Sequence, residues 1–250
     1  MPSGDIRPEE VLIDALARLI AGAHHVAVGA NSPIPSAAAF LAQHLGGGGL
    51  RVSLQESPRH SLFTDGGREL FDAAGQGRID VFFLSGAQID GAGNINLVAL
   101  GDYAHPNRRF PGSYGSSYLY FVVARVILVR TEHSRRTLVE KVDFVSAPGV
   151  SPSNVYRPGG PTALATPLCT FAFDKARGRF RLETLHPGHT LEEVLDNTGF
   201  AFDRSDPVPT SPPPTPEVLK AMRGTVASRL RELYPQFASS VFGLPAVEAR

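Results

Sequence analysis

Residues 25–56 read HVAVGANSPIPSAAAFLAQHLGGGGLRVSLQE and contain two short apolar runs on either side of an alanine-rich segment. The runs at residues 25–29 and 50–55 are bounded by turn residues and have the length of buried strands. Between them, residues 36–45 predict a helix, which ends at the four glycines of residues 46–49. A strand, a helix and a second strand in this order are typical of proteins that build parallel sheets.

Similar patterns predict the remaining elements. Helices are predicted at residues 8–20, 68–75 and 191–196, and in a final helix at residues 216–233. Strands are predicted at residues 79–84, 122–129, 142–146, 168–173 and 180–185, the last two as a hairpin. Six prolines at residues 207–216 predict a stiff surface connector before the final helix.

Composition excludes several classes of function. The 250 residues include 24 basic and 24 acidic side chains, so the chain lacks the charge excess of nucleic-acid or anionic-membrane binders. Its one cysteine, Cys169, allows no intrachain disulfide. Neither a signal peptide nor an apolar run of about 20 residues is evident, which predicts a cytoplasmic protein.

Glu56 follows the second predicted strand of the opening stretch. Because ligands of open α/β sheets collect at the carboxyl ends of strands, a carboxylate at this position could attack an activated acyl carbon. Position alone leaves the alternative of a solvated loop residue open.

Residues 85–117 form a long glycine-rich stretch, SGAQIDGAGNINLVALGDYAHPNRRFPGSYGSS. Gly112 and Gly115 could present backbone N–H groups to an oxyanion or a phosphate. Neither the dinucleotide-binding spacing nor a phosphate-binding loop ending in Gly-Lys-Ser/Thr occurs here, and no histidine or cysteine spacing predicts a metal site. A turn-rich structural loop is the alternative interpretation of this stretch.

Several blocks in register resemble the β subunit of glutaconate CoA-transferase, a class I coenzyme A transferase. They are GAQID (86–90), GNIN (93–96), GDY (101–103), HP (105–106), RF (109–110), GS (112–113), KVDFVSAPG (141–149) and EVLDNTGF (193–200). The similarity covers nearly the whole chain in the same order. It therefore implies a single CoA-transferase β-subunit domain over residues 1–250, with an α/β fold, an open, largely parallel sheet and flanking helices.

The resemblance also implies a function and a site. Glu56 would be the catalytic carboxylate, alternating between an acyl anhydride and a coenzyme A thioester. The oxyanion and substrate loop would comprise Gly112, Ser113, Tyr114, Gly115 and Ser116, and weaker substrate-binding candidates are Gln88, Asp102, Arg108 and Arg109. The substrates would be an acyl-CoA and a carboxylic acid, the partner an α subunit of similar fold, and no metal would be required.

Three positions depart from the family pattern. Tyr114 and Pro58 replace glycines, and Ser116 replaces an alanine. Related heterodimers are ring-opening CoA-thioester hydrolases or decarboxylases, and the Gly-x-x-Gly-Ser pattern at residues 112–116 is similar to that of the hydrolase branch. The alternatives are therefore a hydrolase or C–C lyase in which Glu56 is a general base, and a non-catalytic scaffolding subunit.

Overall fold

A computed structural model of the chain describes residues 6–55 and 57–245. In chain order the elements are α1 (Pro8–Leu19), β1 (His25–Val28), α2 (Pro33–Leu45), β2 (Arg51–Leu54), α3 (Gly66–Gly75), β3 (Val81–Leu84), β4 (Gln88–Ile89), β5 (Ile95–Asn96), β6 (Ala99–Leu100), β7 (Arg108–Arg109), α4 (Ser116–Val122), β8 (Arg125–Val129), β9 (Pro161–Ala165), β10 (Cys169–Asp174), β11 (Arg179–Leu185), α5 (Leu191–Asn197), β12 (Asp203–Arg204), α6 (Pro216–Ala221), a π-helical turn (Met222–Val226), α7 (Ala227–Leu230) and α8 (Pro235–Phe242).

Eight of the strands form one open sheet, in the order β12-β11-β10-β9-β8-β3-β1-β2. Five neighbouring strands of this sheet, β2, β1, β3, β8 and β9, pair in parallel, and so do β11 and β12. Strand β10 pairs antiparallel with both β9 and β11. In the centre, Val26 stands opposite Val52 on one side and Val81 on the other. The predicted open, largely parallel α/β sheet is confirmed.

Helices cover both faces of this sheet. Because successive side chains of a strand point to opposite faces, each strand contributes side chains to both hydrophobic cores. On β1, Val26 and Val28 pack with α1, α2 and the C-terminal helices, while Ala27 faces the opposite cluster. On β3, Phe83 belongs to the first cluster and Phe82 to the second. Because both faces are buried, these strands are apolar throughout rather than alternating in polarity.

Local caps agree with several predicted boundaries. The Thr190 side chain accepts a hydrogen bond from the Glu193 N–H at the start of α5, and Thr215 caps α6 in the same way through Val218. Helix α2 begins at Pro33, three residues before the predicted start, because proline is tolerated in the first turn of a helix.

Three predicted elements differ in the structure. Val122 ends α4, so the strand predicted at residues 122–129 begins only at Arg125. Residues 142–146 form no strand, because the Val142 and Asp143 N–H groups donate to side chains and the backbone meets another strand only at Ser146, which donates to the Ile95 carbonyl. The predicted final helix is divided by the π-helical turn and ends at Leu230, and the unpredicted α8 follows it.

The proline-rich segment runs along β11 rather than forming an element of its own. Residues 207–215 contain neither helix nor ladder, and a single bridge joins Thr210 to Leu185. The Leu185 N–H donates to the Pro209 carbonyl at 3.0 Å, and the Ser211 N–H donates to the Leu185 carbonyl at 2.8 Å.

Candidate active site

A cavity of about 790 Å³ lies at the carboxyl ends of the four adjacent strands β2, β1, β3 and β8. Its lining includes Gln55 after β2, Gly29 after β1, Ser85 after β3 and Thr131 after β8. Parallel strands end at the same edge of a sheet, and open α/β sheets bind ligands at that edge. The cavity therefore occupies the position expected of an active site.

Apolar side chains form most of the remaining wall. Phe82 and Leu119 come from the sheet and α4, and Ile34 comes from the first turn of α2. Phe237, on α8, closes another side. The wall therefore combines segments that are far apart in the sequence.

Glu56, the predicted catalytic residue, lies outside the described residues. The chain on either side of it is anchored by hydrogen bonds. The Gln55 N–H donates to the Val28 carbonyl at 3.1 Å, which extends the β1–β2 pairing, and Gln55 lines the cavity. Ser57 is buried, and its hydroxyl accepts a hydrogen bond from the His60 N–H at 2.9 Å.

The predicted oxyanion loop borders the cavity. Gly112, Tyr114 and Ser116 contribute to its lining, whereas Ser113 and Gly115 stand between them in the chain. Gly115 has a φ of +67° and precedes the first residue of α4, a conformation that favours glycine. The loop thus turns sharply into a helix beside the cavity.

Tyr114 projects outward from this loop. Its side chain is 80% exposed, and its ring centroid lies 5.6 Å from that of Phe71 on α3. The ring centroid of Tyr118 lies 5.8 Å from that of Phe71. Tyr114 therefore lies at the cavity rim in an aromatic cluster with Phe71 and Tyr118.

Ser116 supplies a buried polar atom at the cavity wall. The residue is 4% exposed, and its hydroxyl oxygen has no hydrogen-bond partner among the described residues. A buried hydroxyl without a partner carries a free-energy cost, which a ligand oxygen in the cavity would offset. The first N–H groups of α4 likewise have no acceptor within the helix.

The four weaker candidates lie apart from this lining. The Gln88 side-chain oxygen accepts from Asn96 Nδ2 and from the Asp143 N–H, at 2.8 and 2.9 Å. Asp102 is exposed and accepts a hydrogen bond from a backbone N–H within its own turn.

The two arginines of β7 are exposed and contact aromatic rings. The Arg108 guanidinium lies 5.2 Å from the Phe110 ring centroid, and that of Arg109 lies 4.7 Å from the Tyr103 ring centroid. Substrate binding by Gln88, Asp102 and these two arginines stays a prediction.

Sequence reasoning missed most of the cavity lining, of which Asn31 and Phe237 are two examples. Asn31 follows β1 and has a φ of +51°. It could have been predicted as Glu56 was, because it lies after the carboxyl end of a strand, where open α/β sheets bind ligands. Phe237 carried no such signal, because nothing local in α8 relates it to the strand ends.

Within residues 6–55 and 57–245, no group of three or more His, Cys, Asp or Glu side chains is placed to hold a metal ion. In the same part of the chain, no helix is long and apolar enough to cross a membrane.

Residues 7–197 match the family described as Coenzyme A transferase. The chain belongs to this coenzyme A transferase family. The matched region contains the four strands that end at the cavity and the loop at residues 112–116, whereas Phe237 lies beyond it.

Two curated relatives of this chain are named as B subunits of CoA-transferases. Against the 3-oxoadipate CoA-transferase chain of Pseudomonas knackmussii, the identity is 38% over 157 residues, covering 60% of each chain. Against the glutaconate CoA-transferase chain of Acidaminococcus fermentans, it is 35%, covering 57% of this chain and 55% of that one. The cholesterol ring-cleaving hydrolase IpdB subunit of Rhodococcus jostii is 31% identical, over 65% of each chain. The chain thus spans less than two thirds of the length of these relatives in the alignments.

Solved structures extend the similarity over more of the fold. The glutaconate coenzyme A-transferase of Acidaminococcus fermentans superposes with a TM-score of 0.78 at 25% identity, covering 96% of this chain and 99% of that one. The decarboxylase AibA/AibB superposes with a TM-score of 0.76 at 27% identity, covering 88% and 94%. The predicted class I CoA-transferase-like fold is therefore confirmed, and the same fold occurs in proteins named for different reactions.

Proposed function

We propose that this chain is the β-type subunit of a heteromeric acyl-CoA:carboxylate CoA-transferase of the glutaconate type, with Glu56 as its catalytic carboxylate. The observation that supports this most directly is the cavity at the strand ends. Its wall includes Gln55, the residue before Glu56, on one side and the loop at residues 112–116 on another. A nucleophile and an oxyanion-binding loop at one cavity are what acyl transfer requires.

The proposed reaction proceeds in two matched halves. A carboxylate oxygen of Glu56 attacks the thioester carbon of the acyl-CoA, the C–S bond breaks, and an anhydride and the CoA thiolate result. The thiolate then attacks the Glu56 carbonyl carbon, which releases the first carboxylic acid and leaves a glutamyl-CoA thioester. The acceptor carboxylate repeats these steps in reverse order, so that a new acyl-CoA leaves and the Glu56 carboxylate is restored.

Each attack places negative charge on a carbonyl oxygen, and the loop is suited to stabilise it. The Ser116 hydroxyl is buried at the cavity wall with no partner among the described residues, so it can donate to such an oxygen. The N–H groups in the first turn of α4 add donors. Donors that are already in place need no reorganisation during the reaction.

The partner in this proposal is an α subunit, and the complex is the active form. The structurally similar decarboxylase is named as a pair, AibA/AibB, and two curated relatives are named as B subunits. Coenzyme A enters as part of the acyl-CoA substrate, and no metal takes part in the proposed steps.

The test is to trap the covalent intermediate. The full chain, purified with its partner, is incubated with an acyl-CoA and then with borohydride or hydroxylamine, and the peptide carrying Glu56 is analysed by mass spectrometry. We expect a CoA-dependent modification at Glu56. Glu56→Gln should abolish both the modification and CoA transfer, whereas Glu192→Gln, an exposed change on α5, should retain both.

A second candidate is a CoA-thioester hydrolase or C–C lyase in which Glu56 acts as a general base on water. The similarity to the ring-cleaving hydrolase subunit and to the decarboxylase favours it. It predicts turnover of acyl-CoA without any carboxylic acid acceptor and no modification at Glu56. If Glu56→Ala left the activity of the complex intact, the chain would instead be a scaffolding subunit.

A further inference from the structure

A two-stranded hairpin leaves the cavity wall and returns to it. Its first strand, β6, begins two residues after Leu97, and its second, β7, ends two residues before Pro111; Leu97 and Pro111 both line the cavity. Because an extended chain spans at most about 3.6 Å per residue, the Cα atom of Arg108 on β7 lies within about 11 Å of that of Pro111. The two arginines of β7 therefore stand close to the cavity wall, just outside its lining.

The charges of Arg108 and Arg109 are free of acidic partners in the described part of the chain. Both side chains are exposed, and neither guanidinium forms an ion pair with a described carboxylate. Arg108 contacts the Phe110 ring, 5.2 Å from its centroid, and donates no hydrogen bond to a described residue. Arg109 lies 4.7 Å from the Tyr103 ring centroid and donates to the Tyr103 carbonyl at 2.8 Å. Because a guanidinium has five N–H donors, both arginines keep donors for an anion.

The loop of the hairpin is braced by its acidic and aromatic side chains. One backbone N–H of the loop donates to Asp143 at 2.8 Å, and another donates to Asp102 at 2.7 Å. The Tyr103 ring stacks on that of Phe144, with 4.8 Å between the centroids. The support on which Arg108 and Arg109 stand is therefore ordered before a ligand arrives, which lowers the entropic cost of binding.

Coenzyme A has two ends of different chemistry. An uncharged pantetheine arm joins the thioester sulfur to a diphosphate and a ribose 3′-phosphate. When the thioester carbon meets Glu56, next to Gln55 in the cavity wall, the arm carries the phosphates away from that point. Arginine suits such groups, because its planar guanidinium pairs with phosphate oxygens through two parallel hydrogen bonds.

We infer that Arg108 and Arg109 bind the phosphate groups of coenzyme A, so that the β6–β7 hairpin is the nucleotide-binding arm of this subunit. The inference rests on the proposed function, whose coenzyme A substrate it uses. It assigns the two arginines to the part of the substrate that every acyl-CoA shares. The expected effect is therefore the same whatever acyl group is transferred.

Binding of free coenzyme A tests this, because the probe carries the phosphates but no acyl group. With the full chain in complex with its partner, the double variant Arg108→Gln, Arg109→Gln should bind coenzyme A about tenfold or more weakly than wild type in a calorimetric titration. The matched control is Arg204→Gln, an exposed arginine on the edge strand β12, which should keep the wild-type affinity. Wild-type affinity in the double variant would overturn the inference.

Salt distinguishes loss of phosphate contacts from a change in the shape of the hairpin. Added NaCl screens the attraction between arginine and phosphate, so the affinity of wild type should fall towards that of the double variant. A difference that is constant at all salt concentrations would show that the substitutions act through the fold, and would count against the inference. Size-exclusion chromatography completes the comparison: a double variant that no longer holds its partner would assign the hairpin to subunit contact instead.

The inference and the proposed function can fail separately. Titration with coenzyme A requires no turnover, whereas the trap at Glu56 requires chemistry. A modified Glu56 together with unchanged coenzyme A affinity in the double variant would overturn the inference and leave the function standing. An unmodified Glu56 together with weakened binding in the double variant would do the reverse.

Discussion

Gly115 packs directly against the ring of Phe71: a Cβ atom built on Gly115 would overlap Phe71 Cζ and Cε1. The glycine also has a φ of +67°, which residues with a side chain rarely adopt. The Phe71 ring also lies near the rings of Tyr114 and Tyr118. The loop beside Ser116 therefore leaves no room for a side chain at position 115.

We predict that Gly115→Ala lowers kcat/KM of the complex at least tenfold, because the new methyl group must displace Phe71 and with it the loop. The left-handed backbone adds a cost of about 1–2 kcal/mol in the free energy of unfolding. Steady-state kinetics and urea unfolding measure the two effects. Gly47→Ala is the matched control: its φ is +69° and nothing lies within 4 Å of the added Cβ. Equal loss of activity in both variants would contradict a local role for the contact.

Removal of the Ser116 hydroxyl should affect catalysis more than stability. Because this oxygen has no partner among the described residues, Ser116→Ala breaks no described hydrogen bond. It removes one oxyanion donor, which predicts a fall in kcat of about 100- to 1,000-fold. Ser36, another buried hydroxyl without a described partner, lies outside the cavity lining, and Ser36→Ala should leave kcat unchanged. An unaltered kcat in Ser116→Ala would refute the donor role.

The C-terminal helices should depend on an ion pair with one buried partner. Glu10 on α1 is fully buried, and its two carboxylate oxygens accept from Arg223 Nε and Nη2 at 2.6 and 2.7 Å. Because the Arg223 side chain is one-third exposed and water can reach it, Glu10→Gln predicts a loss of about 2 kcal/mol in the free energy of unfolding. Chemical denaturation measures it.

An exposed ion pair provides the comparison for Glu10. Asp65 and Arg68 are 3.2 Å apart, and both side chains are well exposed. Asp65→Asn should therefore cost less than about 1 kcal/mol. A similar loss in both variants would show that burial does not set the contribution of the Glu10–Arg223 pair.

Two histidines, the buried His186 and the half-buried His133, should make the fold sensitive to acid. Burial lowers the pKa of His133 to about 4 and that of His186 to about 4, from an ordinary value of 6.5. Below pH 6.5 the unfolded chain binds protons that the folded chain does not take up until about pH 4. The free energy of unfolding should therefore fall as the pH is lowered from 6.5 towards 4, and change little from these groups above 6.5.

Substitution of one of the two histidines tests that assignment. His133 contacts Thr166 and Thr198 through its two ring nitrogens, at 2.8 and 2.9 Å. His133→Gln should lower stability at pH 7 but reduce the further loss between pH 7 and pH 5. Urea unfolding midpoints at the two pH values give the comparison, and an undiminished loss in the variant would rule out His133 as a contributor.

Elements with a strong local signal were predicted from the sequence. The two strands and the helix of residues 25–56 were identified because apolar periodicity and glycine stops are local properties. The hairpin of β10 and β11 and the caps at Thr190 and Thr215 were identified in the same way. The strand predicted at residues 142–146 was wrong because composition suits a strand there, but the fold places only the end of the segment beside another strand, at Ile95.

For the candidate site as well, local features were predicted from the sequence and long-range contacts were not. By itself the sequence determined the strand–helix order, the place of Glu56 after a strand, and a glycine at position 115, since each depends on neighbours in the chain. Only the tertiary structure decided that Gln55, Ser116 and Phe237 share one cavity. The physical reason is the strand order: β2, β1, β3 and β8 lie side by side although long segments separate them, and local patterns carry no information about which strands become neighbours.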